Sequence, residues 1–198
     1  DLIISTQGRS FWILDDITAI QQLTDEVLAS SVHLFEPRPA YRFLPRESPN
    51  SQPGDPAAGE NPDYGASINF YLAEAEGGGT ITIETEAGDP VRTLRAGGLQ
   101  AGLNRVQWNL RYDASQTPRL RTPALEHSHR DVGPSGWRSA PDGGAIRPLA
   151  VPGRYRVTLN IAGEEQTTWL EVLQDPASDG SATDMMAQLD LHLELREM

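Results

Sequence analysis

The chain has 198 residues, 38% of them hydrophobic, with a formal net charge of −12, sixteen Arg, no Lys and no Cys. That balance excludes general nucleic-acid binding, which needs clustered cations to neutralise phosphates, and makes an anionic membrane surface an equally poor partner. It also excludes disulfides and thiolate metal sites as props of the fold, and no run of eighteen apolar residues is present to insert as a membrane-spanning helix.

Eighteen Gly and fifteen Pro point to many turns and long loops rather than a helical bundle. The Lys-free acidic composition is what either a salty habitat or a GC-rich genome would produce. The chain opens on Asp1-Leu2-Ile3-Ile4, with neither Met nor a charged-then-apolar leader, as expected of the interior of a longer protein.

In chain order, residues 1–16 read as two short strands around a Gln7-Gly8 turn, Leu2, Ile3 and Ile4 before it and Phe11, Trp12, Ile13 and Leu14 after it. Ile17, Ile20 and Leu23, then Val27 and Leu28, have helical spacing, with Asp16 and Thr24 as N-caps. Pro37 and Pro39 make the next stretch an extended lead-in, not a central strand. Residues 44–65 are rich in Pro, Gly, Ser and Asn and read as a long surface loop.

Strands are expected from Ala66. Ile68, Phe70 and Leu72 alternate with polar neighbours, Glu76-Gly77-Gly78-Gly79 is read as a turn, and Ile81 and Ile83 point inward. Val91 to Leu94 follow, with Gly97-Gly98 breaking that strand. The clearest alternation comes next, with Val106, Trp108, Leu110 and Tyr112 on one face and Arg105, Gln107, Asn109 and Arg111 on the other. Residues 152–173 read as a β-hairpin with Tyr155, Val157, Leu159 and Ile161 inward, a turn at Ala162-Gly163-Glu164-Glu165, and Thr168, Leu170 and Val172 returning. Alternation in four or more separate segments implies two sheet layers, a β-sandwich of about seven strands of immunoglobulin-like or fibronectin-like type. After Asp175-Pro176, residues 181–184 read as the cap of a helix with Met185, Met186, Leu189 and Leu193 on one face, its apolar pattern unfinished at Met198; Leu189 to Leu195 also alternates as a strand would, and the cap favours the helix.

Four segments resemble a known family. Ser5-Thr6-Gln7-Gly8-Arg9-Ser10-Phe11-Trp12-Ile13-Leu14-Asp15-Asp16 resembles the "THGRSFWILDD" segment that closes the β-propeller of bacterial BNR-repeat, sortilin-like proteins, often labelled glycosyl hydrolases, with Gln7 where that pattern often has His. Leu34 to Phe43 resembles its "LFKPRPAYRF" connector, Gly102 to Tyr112 its "GLNRFVWDLRY", and Val151 to Val157 its "PPGTYTVRL". The resemblance implies an all-β fold: a remnant of the last propeller blade over residues 1–16, a helical and Pro-rich connector over 17–65, an immunoglobulin/fibronectin-III-like sandwich over 66–175, and a short C-terminal helix over 176–198. It further implies a non-catalytic accessory role in an exported protein, secreted, periplasmic or at the cell surface, with its own propeller as partner. The alternatives are a carbohydrate-binding module with a glycan partner, or part of a glycosidase. Residues 113–147 depart from the family in length and composition, so this insertion is functional, packed on a partner or free.

The candidate sites lie mostly in that insertion. His127 and His129, with Glu126 and Asp131, have the one-residue spacing that puts two imidazoles on one side of an extended segment, as zinc, copper or nickel would require. A solvated polar loop is the commoner outcome for such clusters. Trp137 and Tyr64 lie in loops and can stack on sugar rings, whereas Trp12, Trp108 and Trp169 sit in strand patterns and are expected to pack. Asp175 to Asp184 fails as a calcium loop at Ala177 and Met186, and reads as a turn and helix cap. Asp15-Asp16 fails as a glycosidase pair because strand neighbours point to opposite faces, so a cap or closing contact is expected there. The strand Arg residues read as a solvated face paired to acids. No Gly-rich phosphate loop precedes a helix, so no cofactor is expected.

Overall fold

The computed structural model describes residues 1–8, 11–43, 62–117, 119–122, 132–139 and 144–198. Strands dominate it. The chain divides into two compact units, one of Asp1–Leu110 with Val151–Asp179, the other of Arg111–Ala150 with Gly180–Met198.

The first unit starts with a hairpin of β1 (Leu2–Ser5) and β2 (Phe11–Leu14), pairing Leu2 with Leu14 and Ile4 with Trp12. Two one-turn helices follow, α1 (Thr18–Gln21) and α2 (Asp25–Leu28). Thr24 caps α2 by accepting from the Val27 N–H. Asp16 does not cap α1, whose N-cap is Ile17; its carboxylate instead accepts from the Thr18 N–H.

Two sheets make up the rest of the unit. The three-stranded one runs β3 (Val32–Leu34), β5 (Ala66–Leu72), β8 (Gly102–Trp108). The five-stranded one runs β4 (Ala40–Arg42), β12 (Glu164–Gln174), β11 (Gly153–Ile161), β6 (Glu76–Thr85), β7 (Pro90–Leu99). All pairings are antiparallel except β12 with β4, the edge strand that follows Pro37 and Pro39. Side chains at alternate positions of both sheets fill one core: Ile68, Phe70 and Leu72 from β5, Ile81 and Ile83 from β6, Tyr155, Val157 and Leu159 from β11, Leu170 and Val172 from β12. Trp108 is wholly buried, its ring edge-on to Tyr155 with centroids 5.3 Å apart, and the Tyr155 hydroxyl donates to the Val151 carbonyl at 2.7 Å. Burying each large apolar side chain contributes roughly 1.5–3 kcal/mol.

Along one side the two sheets are joined by a side chain acting as a strand. The Gln166 amide on β12 donates to the Val32 carbonyl at 2.8 Å and its oxygen accepts from the Leu34 N–H at 2.7 Å. The outer face of the three-stranded sheet is partly covered by the connector, where Ala19, Val27 and Phe35 form a small buried cluster with Leu23 and Tyr71 against it.

Three expectations need correcting. Gly77 to Gly79 do not turn the chain, and Gly97-Gly98 do not end a strand; β6 and β7 run through them, with Gly78 opposite Gly97. At Gly79 the reason is close approach. A Cβ on Gly79 would lie 2.8 Å from the Asn160 carbonyl oxygen, so only glycine lets β6 pair with β11 there. Trp12 is not packed but 66% exposed, and its hairpin is exposed on both faces, because no second layer covers it among the described residues. Two of the strand Arg residues pair with acids: Arg156 donates through Nε and Nη2 to Glu84, and Arg154 pairs with Glu86 while lying 4.7 Å over the Trp169 ring.

In the second unit, residues 111–150 leave the sandwich after β8 and return before β11. They contain a two-stranded pairing of β9 (Arg119–Leu120) with β10 (Arg138–Ser139) and an isolated bridge between Arg111 and Leu149. The helix α3 (Ala182–Glu197) belongs to the same unit, capped by Ser181 accepting from the Asp184 N–H. Its buried stripe is Met185 and Leu189 with Leu193 half-buried; Met186 falls off that face and is exposed.

Gly65 sets up β5 under the Trp108 backbone. Its φ is +122°, and a Cβ there would sit 2.0 Å from the Trp108 carbonyl oxygen. Gly65→Ala is expected to cost at least about 1–3 kcal/mol from backbone strain alone, measured by urea unfolding, with a slope unchanged from the wild type.

Candidate functional site

Two places in the molecule concentrate polar and aromatic groups in ways that packing alone does not require. The first is where β2 ends. Asp16 has φ +54°, uncommon for a residue with a side chain, and its carboxylate is buried. The backbone N–H of Asp16 donates to the Asp1 carboxylate at 2.8 Å, folding the chain start back on the hairpin exit. Its own carboxylate accepts from the Thr18 N–H at 3.2 Å and from the Asn69 amide at 3.3 Å. Arg105, on β8, donates through Nε to Asn69 at 2.8 Å and through Nη2 to the Asp16 carbonyl at 3.0 Å. Arg38 completes the ring, donating to Asp1 at 3.2 Å and standing 4.0 Å from the Asp16 carboxylate. The cluster ties the hairpin exit, the connector and two strands of the three-stranded sheet together.

This arrangement is a clasp rather than a catalytic pair. Burial pushes the Asp16 carboxyl up, but the hydrogen bonds from Thr18, the Arg38 guanidinium and the Asn69 amide outweigh it and hold the group below its ordinary value. A glycosidase acid needs the opposite shift, and Asp15 is its chain neighbour rather than a carboxylate facing it across a cleft.

The second place is in the other unit. Trp137 is half-buried and lines a cavity of about 1220 Å³ together with Gln116, Thr117, Arg119 and Ile146 and the last turn of α3, at Leu195 and Arg196. The Arg119 guanidinium lies 5.5 Å over the Trp137 ring. A smaller hollow of about 390 Å³, lined by Arg119, Arg121, Ser135, Gly136 and Trp137, shares two of its walls. Arg138 is spent on structure, donating to the Thr122 carbonyl at 2.8 Å. Pairing of β9 with β10, Leu120 opposite Arg138, is what brings Arg119 and Arg121 beside Trp137.

Among the described residues, Trp137 is the sequence-predicted site residue that lines a cavity. Tyr64 belongs to the first unit, half-buried, its ring edge-on to Phe43 at 4.7 Å and its hydroxyl accepting from the Phe43 N–H at 3.3 Å. His127, His129 and Asp131 lie outside the described residues. Among the described residues no group of three or more His, Asp or Glu is close enough to hold a metal, and no helix is long and apolar enough to cross a membrane. The turn after β12 is local: Asp175 accepts from the Ala177 N–H at 2.9 Å, and Ser181 opens the helix.

Arg119 and Arg121 were not legible as site residues, because strand arginines ordinarily pair with acids. The signal that carries them is charge distribution. Residues 111–150 hold six Arg against four Asp and Glu, whereas the remainder holds ten Arg against twenty-four.

Comparison with known proteins found no matching family model, no matching curated protein and no matching solved structure.

The Asp16 clasp has a pH signature. With its folded-state value lowered, the carboxylate contributes stability that is fully present above the unfolded value of about 3.9 and is lost as pH falls through the folded value. Asp16→Asn is expected to lose about 1–3 kcal/mol at neutral pH and to show a shallower fall in stability below about pH 4 than the wild type, read by urea unfolding at stepped pH.

Proposed function

We propose that this chain is a non-catalytic accessory β-sandwich of immunoglobulin/fibronectin-III-like type, from an exported bacterial propeller protein of the BNR-repeat, sortilin-like group, and that it works by holding a hairpin for insertion into that propeller. The observation that carries the reading is the hairpin itself. Leu2, Ile4, Trp12 and Leu14 lie on one face and Ile3, Ile13 and Phe11 on the other, and every one of them is exposed.

A strand pair that is apolar on both faces belongs between two layers, since an ordinary surface hairpin keeps one face polar. A single flat partner would cover only half of it. A propeller blade, flanked by a neighbour on each side, covers both. The clasp at Asp16 supports the same reading, because it fixes the direction in which the hairpin leaves the sandwich.

Strand order supports the sandwich type. If β3, β5 and β8 are strands A, B and E, then β7, β6, β11 and β12 are C′, C, F and G, with β4 as the second half of A pairing parallel with G. Tyr155, near the start of the strand in the F position, bonds through its hydroxyl to the backbone four residues upstream, the corner that such sandwiches place there. Residues 111–150 then occupy the E–F connection. Secretion to the periplasm, cell surface or medium follows from the resemblance, and with it a structural or interaction role for this part.

The glycosidase alternative is disfavoured by the buried, hydrogen-bonded state of Asp16. Hydrogen exchange tests the accessory reading. In the 198-residue chain the β1 and β2 amides should exchange about a hundredfold or more faster than those of β5 and β11. In the chain extended by its native upstream sequence they should become protected to the level of the sandwich. Equal exchange of the hairpin in both proteins would overturn the proposal.

A further inference from the structure

We propose that the groove beside Trp137 binds an acidic saccharide, a pyranose bearing a carboxylate, with the ring on the indole and the carboxylate on Arg119 and Arg121. The proposal concerns the second unit and stands apart from the propeller reading, which rests on the hairpin.

Charge provides the first reason. An acidic chain of net charge −12 repels anions over most of its surface, and residues 111–150 are where Arg outnumbers acid. Within that stretch Arg119 and Arg121 line one small hollow, and among the described residues neither is neutralised by a carboxylate. Two arginines of the five-stranded sheet do find acids, Arg156 with Glu84 and Arg154 with Glu86. A guanidinium presents a planar fork that matches a carboxylate, and two of them left over beside one hollow make an anion the fitting occupant.

The aromatic ring narrows the class. The Arg119 guanidinium lies 5.5 Å from the centre of the Trp137 ring, so a pyranose packed beside the indole has a cation at its edge. An indole offers a flat apolar surface to the C–H face of a pyranose, and a small inorganic anion would make no use of it. The larger cavity adds Gln116 and Thr117, uncharged groups suited to sugar hydroxyls, with Arg196, Glu197 and Met198 at its far wall. Size agrees as well. The hollow of about 390 Å³ takes one hexuronate, and the adjoining space of about 1220 Å³, which shares Arg119 and Trp137, has room for the neighbouring residues of a chain.

The test is calorimetric titration of the 198-residue chain with trigalacturonate and with maltotriose, an uncharged control of the same length, at low salt. Trigalacturonate should bind at least about tenfold more tightly than maltotriose, and its affinity should fall as salt is raised. Trp137→Ala should weaken trigalacturonate binding by about fivefold or more, while Arg121→Gln should remove the preference for the acidic sugar and leave maltotriose unaffected. Trp137→Phe keeps an aromatic surface and should bind within about threefold of the wild type, which separates lost stacking from lost folding. The proposal is overturned if neither sugar binds, if both bind equally, if sodium acetate competes as well as the trisaccharide, or if Trp137→Ala and Arg121→Gln both bind like the wild type while melting normally.

Discussion

The molecule depends on the closure of two sheets over Trp108. Its indole is wholly buried, Tyr155 meets its edge from the opposite sheet, and Gly65 lies so close under its carbonyl that a side chain there has no room. Tyr155 then anchors its own strand by bonding back to the Val151 carbonyl. An edge-on aromatic contact of this kind adds about 0.5–1.5 kcal/mol beyond the area that it buries.

Two further features each depend on a local polar arrangement. The Asp16 clasp carries a carboxylate into a buried position by surrounding it with Thr18, Asn69, Arg105 and Arg38, and a buried charge persists only with such partners. The consequence is a hairpin, apolar on both sides, projecting from a well-defined base. In the second unit the short β9–β10 pairing places two guanidinium groups beside an indole. One feature reads as a docking element for another layer of sheet, the other as a place for a small acidic ligand.

Much of the sandwich could be read from the residues. Ile68, Phe70 and Leu72, and Tyr155, Val157, Leu159 and Ile161, alternate because one face of each strand is pressed on the core, and each is buried. Ser181 and Thr24 announce helix starts through the hydrogen bonds that their hydroxyls accept. The glycine stretches of β6 and β7 were misread because a residue without a side chain shows no alternation, and what Gly79 accommodates, the nearness of Asn160, lies some eighty positions away in the chain. Strands β3 and β4 are three residues each, too short to carry a period. Trp12 looks like core from its neighbours, since composition tells that a face is apolar and not what covers it. Trp137 was visible as a lone aromatic, while the two arginines beside it become a site only when β9 and β10 pair.

Chemical unfolding of two tryptophan variants tests this picture most directly. Trp108→Ala should lose about 3–5 kcal/mol, because it empties the space between the sheets. Trp12→Ala should stay within about 0.5 kcal/mol of the wild type, because its ring is outside that space. Comparable losses in both, or a Trp108→Ala protein as stable as the wild type, would contradict a core closed on Trp108 with the hairpin standing clear of it.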